Sequence, residues 1–264
     1  MISAFFAGTS AWFLFLIIVV GSVLLACVSL LLIRQQREKV LVEIHDNEAI
    51  GFIFATVSVV YAVLLAFLVI SVWESYGAAQ RAVADEAAAI VTTARYSASF
   101  PEPIRSEVHD QLRLYTKMVM NDEWRMMQHP SEEQSGAVQA RAAIQNIWNL
   151  VQQKLPQNAI TADALNSVTE LSKDRLLRLV ASEDAIPDYV WMVLLVGGAI
   201  VVYFGLLLRV ENPRLHMVLM ILLTLSIAIC IWLLSIINTP FSGDIQVSDA
   251  PLRYALQVID ALPR

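Results

Sequence analysis

Charge is what this 264-residue sequence has least of where it counts: only 16% of its residues are charged, against about a quarter in an ordinary soluble protein. Its four long apolar runs, Trp12 to Ile33, Gly51 to Val72, Tyr189 to Leu208 and Leu215 to Ile237, hold no interior Asp, Glu, Lys or Arg. Proton-driven motors and ion-coupled antiporters place ionisable groups inside the membrane, so that absence argues against both. Cysteine is equally scarce. Cys27 and Cys230 both fall within apolar runs, which excludes a disulfide framework in the polar part of the chain. The net charge of −6 supplies no basic stripe, and a nucleic-acid partner is excluded on that ground.

Catalytic constellations are missing too. There is no phosphate-cradling glycine loop, no HExxH, no nucleophile elbow and no Cys/His spacing suited to zinc. His45, His109, His129 and His216 are scattered over different segments, whereas a ligand set or base needs convergent partners. Carboxylates cluster at Asp85 with Glu86, Asp122 with Glu123, Glu132 with Glu133, and Glu183, Asp184 and Asp188. No calcium loop of alternating ligands accompanies them, and adjacent acids are ordinarily a solvated face. The expectation is a protein that is not an enzyme and has no cofactor and no metal.

What is present is length and hydrophobicity. Each of the four runs is long enough to cross a bilayer as a helix. The first lacks a basic leader and continues as VSLLLI past Cys27, so it reads as a retained span, not a cleaved signal. Arg34, Arg37 and Lys39 lie between the first and second runs, and Arg209 and Arg214 between the third and fourth. The positive-inside rule puts both loops in the cytoplasm and the polar middle in the periplasm of a bacterium, the spans lying in its inner membrane. Trp12, Trp73, Tyr76, Tyr189 and Trp191 would then share one membrane face as an aromatic belt.

The stretch from Gly51 to Tyr96 contains no proline and reads as one helix. At about 1.5 Å per residue it would be roughly 70 Å long, so about 30 Å spans the hydrocarbon and the rest stands in water. Tyr76, Val83 and Ile90, with Gln80, Ala87 and Ala94, line its wet half at heptad spacing. Three more helices follow. Pro101 and Pro103 open the next, with Ile104, Val108, Leu112, Tyr115 and Val119 on one face; the HPSEEQSG break precedes a third carrying Ala137, Ala140, Ile144, Ile147, Trp148, Val151 and Leu155. Thr161 is placed to cap a fourth, with Leu165, Val168, Leu176 and Leu179 facing the core. After the last span, Ser248 can cap a short helix through Leu252, Ala255, Leu256 and Ile259, lying on the bundle or along the membrane surface.

The fold class expected is therefore all-α: four transmembrane helices with a four-helix soluble bundle inserted between the second and third spans. Its parts are residues 1–49 (first span and basic loop), 50–73 (second span), 74–187 (bundle), 188–238 (third and fourth spans) and 239–264 (turn and amphipathic helix). On the second span Gly51, Ala55, Ser58, Ala62 and Ala66 form a small-residue strip that suits close helix packing. The functional reading is a pore-lining helix, with Thr56, Ser58, Tyr61, Leu65 and Phe67 as candidates: hydroxyl dipoles above an apolar constriction.

Four segments in fixed order carry a family likeness: WESYGAAQRAVADEAAAI after the second run, FPEPIR, LYTKMVMNDEW, and PFSGDIQV after the last run. Together they resemble the bestrophin-like family of bacterial membrane proteins, formerly described as a domain of unknown function, over nearly the whole chain from Gly51 onward. Bestrophins proper are pentameric chloride channels whose second span forms a hydrophobic neck. The resemblance implies a homo-oligomeric, anion-permeable channel, with the lipid bilayer and inorganic anions as its partners. This sequence departs from bestrophins proper in having no acidic calcium clasp. Glu86, Glu123 and Trp124 match recurrent positions of the family pattern, to which the sequence attaches no role. The alternative function is a membrane-anchored sensor or assembly protein whose helical bundle binds a ligand or partner.

Overall fold

A computed structural model describes residues 9–39, 47–128 and 135–262, and among these the chain is all-helical. His45, His129, Glu132, Glu133 and most of the HPSEEQSG break lie outside the described residues. Contacts divide the chain into two units: Met1–Glu74 with Ala185–Thr239, and Ser75–Asp184 with Pro240–Arg264.

The first unit holds the apolar helices. α1 (Ala11–Phe15), a π-helical turn π1 (Leu16–Val20) and α2 (Gly21–Lys39) follow one another directly. The wide turn explains why its buried residues Leu14 and Val19 stand five apart: one extra residue per turn brings Val19 back over Leu14. The part of α3 (Asn47–Ser97) up to Glu74, with α8 (Asp188–Leu207) and α9 (Pro213–Ile237), completes the unit. Among the described residues four helices are long and apolar enough to cross a membrane: Ala11–Gln35, α3, α8 and α9.

Polar ties fix the ends of these helices. Asn212 caps α9 by accepting from the amides of Arg214 and Leu215, with Pro213 in the first turn, where its missing N–H costs nothing. Asn47 and Arg209 bond reciprocally, the Asn47 side chain donating to the Arg209 carbonyl at 3.2 Å and accepting from its amide at 2.9 Å. Arg34 Nη2 lies 3.2 Å from His216 Nδ1. A guanidinium can only donate, so Nδ1 accepts and Nε2–H points at the Gly205 carbonyl, 3.1 Å away. Trp232 Nε1 donates to the Ala11 carbonyl and its ring meets Phe15 edge-on at 5.4 Å. The expected aromatic belt loses one member: Trp12, Trp73 and Tyr189 are exposed, but Trp191 is fully buried in the helix core.

The second unit contains the later part of α3, α4 (Ile104–Met118), a second π turn π2 (Val119–Glu123), α5 (Trp124–Gln128), α6 (Ser135–Lys154), α7 (Ala159–Glu183) and α10 (Ala250–Ala261). Val83, Ile90 and Ala94 of α3 join Leu112, Tyr115, Val119, Ile147, Val151, Val168 and Leu171 in one apolar core. α10 packs on α4: Leu252, Ala255 and Ile259 are buried, and Arg113 reaches Asp260 at 2.7 Å. Asn158, not Thr161, caps α7, accepting from the Thr161 amide at 2.8 Å while the Thr161 hydroxyl turns back to the Pro156 carbonyl.

The largest departure from the sequence reading is in α7. Leu176, expected in the core, is 60% exposed, and Leu177 and Val180 are exposed beside it. The positions turned inward are Arg175 and Arg178.

Candidate functional site

The stripe Ala164, Val168, Leu171, Arg175, Arg178 steps along α7 by four, three, four and three, so all five side chains share the core face. Burying two guanidiniums is costly unless carboxylates meet them. Two do. Glu86 comes from α3 and Glu123 from π2, and both are fully buried. Val119 and Trp124, five apart, sit on the same stripe because π2 inserts one residue, and that shift also carries Glu123 and Met127 to the core side.

Arg178 is the hub of this cluster. Its Nε donates to Glu86 Oε2 at 2.5 Å, its Nη2 to Glu123 Oε2 at 2.5 Å and to Glu86 Oε1 at 3.3 Å, and its Nη1 lies 3.3 Å from Met127 Sδ. Arg175 grips Glu123 Oε1 through Nε at 3.0 Å and Nη2 at 2.5 Å. The Tyr115 hydroxyl donates to Glu86 Oε1. Two carboxylates face two guanidiniums, so the buried cluster carries no net charge. Burial works against the charge of Arg178, but Glu86, then Tyr115 and Glu123, outweigh it and raise its pKa above the usual arginine value. Burial, reinforced by Glu86, pushes the Tyr115 phenol well up, which keeps its proton in place as a donor.

Glu86 and Glu123, which the sequence singled out without a role, are thus brought together. Trp124 is not part of the ion cluster. It is packed edge-on against Phe241 at 5.4 Å, closing the core beside it. All four segments that carried the family likeness place residues in this core: Glu86; Phe100 and Ile104; Tyr115, Glu123 and Trp124; Phe241 and Val247. Sequence reasoning missed Arg175 and Arg178, although their continuation of the Val168 and Leu171 stripe was the available signal.

The membrane candidates fall into two groups. Tyr61 and Leu65 are buried within their own unit, and Tyr61 donates to the Leu194 carbonyl at 3.1 Å. Ser58 is half-covered on the same side, its hydroxyl buried and unpartnered. Thr56 and Phe67 lie on the opposite, exposed side with Phe52, Val59, Val63 and Ile70. The five expected residues therefore do not share a face: at 100° per residue, Tyr61 points away from Phe52 and Ile70.

A second buried polar group lies on α4. His109 is 1% exposed, and neither ring nitrogen makes a well-formed hydrogen bond. A cavity of about 270 Å³ beside it is lined by Ser106, Asp110 and Arg113. Burial, then the charges of Arg113 and Arg105, hold the imidazole pKa below 6.5, outweighing the nearby Ala94 carbonyl and Glu102. The unfolded chain therefore binds a proton at higher pH than the folded one, and stability is full above 6.5 and falls as pH drops below it. Thermal midpoints measured from pH 7.5 downward are expected to decline in this window, and His109→Phe to flatten the decline. Among the described residues no three His, Cys, Asp or Glu side chains group as a metal site.

These features define an all-helical membrane protein with a charged, internally neutralised core in its polar unit. The Bestrophin-like domain family matches the chain over residues 6–252, and the chain belongs to that family. Two crystal structures of point mutants of a bacterial bestrophin homologue from Klebsiella pneumoniae share its fold. One superposes with a TM-score of 0.69 at 12% identity, covering 95% of this chain and 98% of the other; the second gives 0.67 at 12% identity, covering 95% and 99%. No curated protein matches the sequence.

Proposed function

We propose that the chain is one subunit of a homo-oligomeric ion channel in which α3 lines the conduction path and the polar helices form a bundle inserted between the second and third spans. The observation that carries this reading is how little of α3 its own chain covers. Only 11% of its most apolar window is buried, against 17%, 33% and 28% in the other three spans, so α3 has the most surface left for lipid, water or another subunit. The exposed Leu176, Leu177 and Val180 on α7 support association, since clustered exposed apolar side chains on a polar unit mark interaction surfaces.

The pore face we assign runs Phe52, Thr56, Val59, Val63 and Phe67. It leaves out Tyr61, Leu65 and Ser58, which serve packing. Apart from the Thr56 hydroxyl, which donates back to the Phe52 carbonyl at 3.1 Å, this face is apolar and acts as a hydrophobic constriction. It has no carboxylate to repel anions, and inorganic anions are the permeants that membership of the family suggests. The setting is the inner membrane of a bacterium.

Native mass spectrometry in nanodiscs, paired with ion flux in liposomes, tests the proposal. A closed ring of subunits with ion flux is expected; a monomer or dimer without flux contradicts it and favours the sensor reading. Within a conducting ring, Val63→Ser is expected to raise unitary conductance by wetting the constriction. Tyr61→Phe should leave conductance unchanged and lower the melting temperature, because it removes only the bond to Leu194.

A further inference from the structure

Between Ser75 and Ser97 the fully buried apolar positions of α3 are mostly alanine, Ala79, Ala82, Ala87, Ala89 and Ala94, with Val83, Ile90 and Val91 among them, while Tyr76 and Tyr96 near the two ends of the stretch pack partly buried against the same core. A mostly alanine surface has shallow ridges and resists rotation and sliding weakly. What marks one register is a set of three polar ties from α3 to α7 and its C-cap residue Asp184. Ser75 Oγ donates to Asp184 Oδ2 at 2.9 Å, Glu86 meets Arg178, and the hydroxyls of Thr93 and Ser167 lie 3.0 Å apart. As α3 is followed forward the partners run backward along α7, so the ties form an antiparallel zipper at three levels. Only the middle tie is fully buried and ionic, and Arg178 extends it to Glu123 on π2.

Buried ion pairs add little stability relative to well-packed apolar residues, and their best-attested use is to specify register. We propose that Arg178 is the register pin of α3: its fork, spanning Glu86 and Glu123, fixes the rotation and axial position of that helix, and so selects which side chains of its apolar half face the conduction path. The second clause rests on the channel reading above; the first does not. Arginine is required because a planar fork reaches both carboxylates at once, which a lysine ammonium on a single stem cannot do with the same geometry. Arg178 acts through α3 and is a positioning residue.

The test uses the full-length protein with Cys27→Ser and Cys230→Ser, to which Thr93→Cys and Ser167→Cys are added as a reporter of register. Oxidation is expected to cross-link the pair rapidly when Arg178 is present, and about tenfold or more slowly in Arg178→Lys, the population change expected when hydrogen bonds to a charged group are lost. Equal cross-linking overturns the pin. In planar bilayers Arg178→Lys is expected to change unitary conductance, a property of each folded channel that a loss of folded protein would not move, and the oxidised cysteine pair is expected to restore it until reduced. Altered cross-linking with unchanged conductance overturns the link to the conduction path. Absence of unitary currents from the parent protein overturns the channel reading, and the cross-linking comparison still decides the pin. If Arg178→Lys elutes as aggregate, Glu86→Gln, which keeps the hydrogen-bonding shape and removes the charge, gives the same comparison.

Discussion

Arg178→Met is expected to lower the stability of the protein by about 3–5 kcal/mol, because it leaves the Glu86 carboxylate buried without a cation and strips Glu123 of one of its two. The loss should come from the stranded charge and not from the missing contact. Combining Arg178→Met with Glu86→Gln removes a matched pair of charges, leaves Glu123 with Arg175, and keeps a carbonyl for the Tyr115 hydroxyl. Most of the stability is therefore expected to return in the double variant. Chemical denaturation in a fixed detergent measures both. If the double variant is as unstable as Arg178→Met alone, Arg178 matters for its packing against Met127 and not for charge balance.

Gly197→Val is the second substitution with a large expected effect. A Cβ at this position would lie 2.8 Å from Cδ2 and 2.9 Å from Cε2 of Tyr61, inside the closest approach carbon atoms tolerate. The ring has little freedom to retreat, since it is 6% exposed and its hydroxyl is held by the Leu194 carbonyl. Overpacking of this kind costs about 1–3 kcal/mol, with roughly 1 kcal/mol more if the hydroxyl is pulled from its acceptor. Gly51→Ala is the control. Its Cβ would meet only Leu208 Cδ2 at 4.0 Å, an ordinary contact, so its melting temperature is expected to stay near that of the parent protein. Tyr61→Leu is expected to relieve Gly197→Val in part, which would identify the ring as the obstacle.

The apolar spans were legible in the sequence because run length alone decides them, and so was most of the α3 seam, where Val83, Ala87, Ile90 and Ala94 are buried; Gln80, which heptad spacing also places there, is exposed, its polar amide staying in water. The ion cluster was only half legible. Glu86 and Glu123 stood out through the family pattern, but their cations lie about fifty and ninety residues away along the chain on a helix whose leucines pointed to the wrong face. Hydrophobic periodicity assumes that charge turns outward, and α7 breaks that assumption where buried carboxylates demand arginine. The two π turns were hidden for a related reason: a five-residue step between buried positions, as from Leu14 to Val19 or Val119 to Trp124, fits neither a regular helix nor a break. Trp191 has the sequence position of a membrane-surface aromatic, near a helix end, but neighbouring helices cover it completely.

Which side of α3 meets the permeating ion decides whether this helix lines the pore. Single cysteines placed from Phe52 to Ile70 in protein lacking Cys27 and Cys230, and exposed to a charged thiol reagent during flux, read this out position by position. Block is expected at Phe52, Thr56, Val59, Val63 and Phe67, with helical spacing, and little or none at Ser58, Tyr61 and Leu65. Block centred on Tyr61 and Leu65, or at no position along the helix, would contradict the assignment of α3 and its exposed face to the pore.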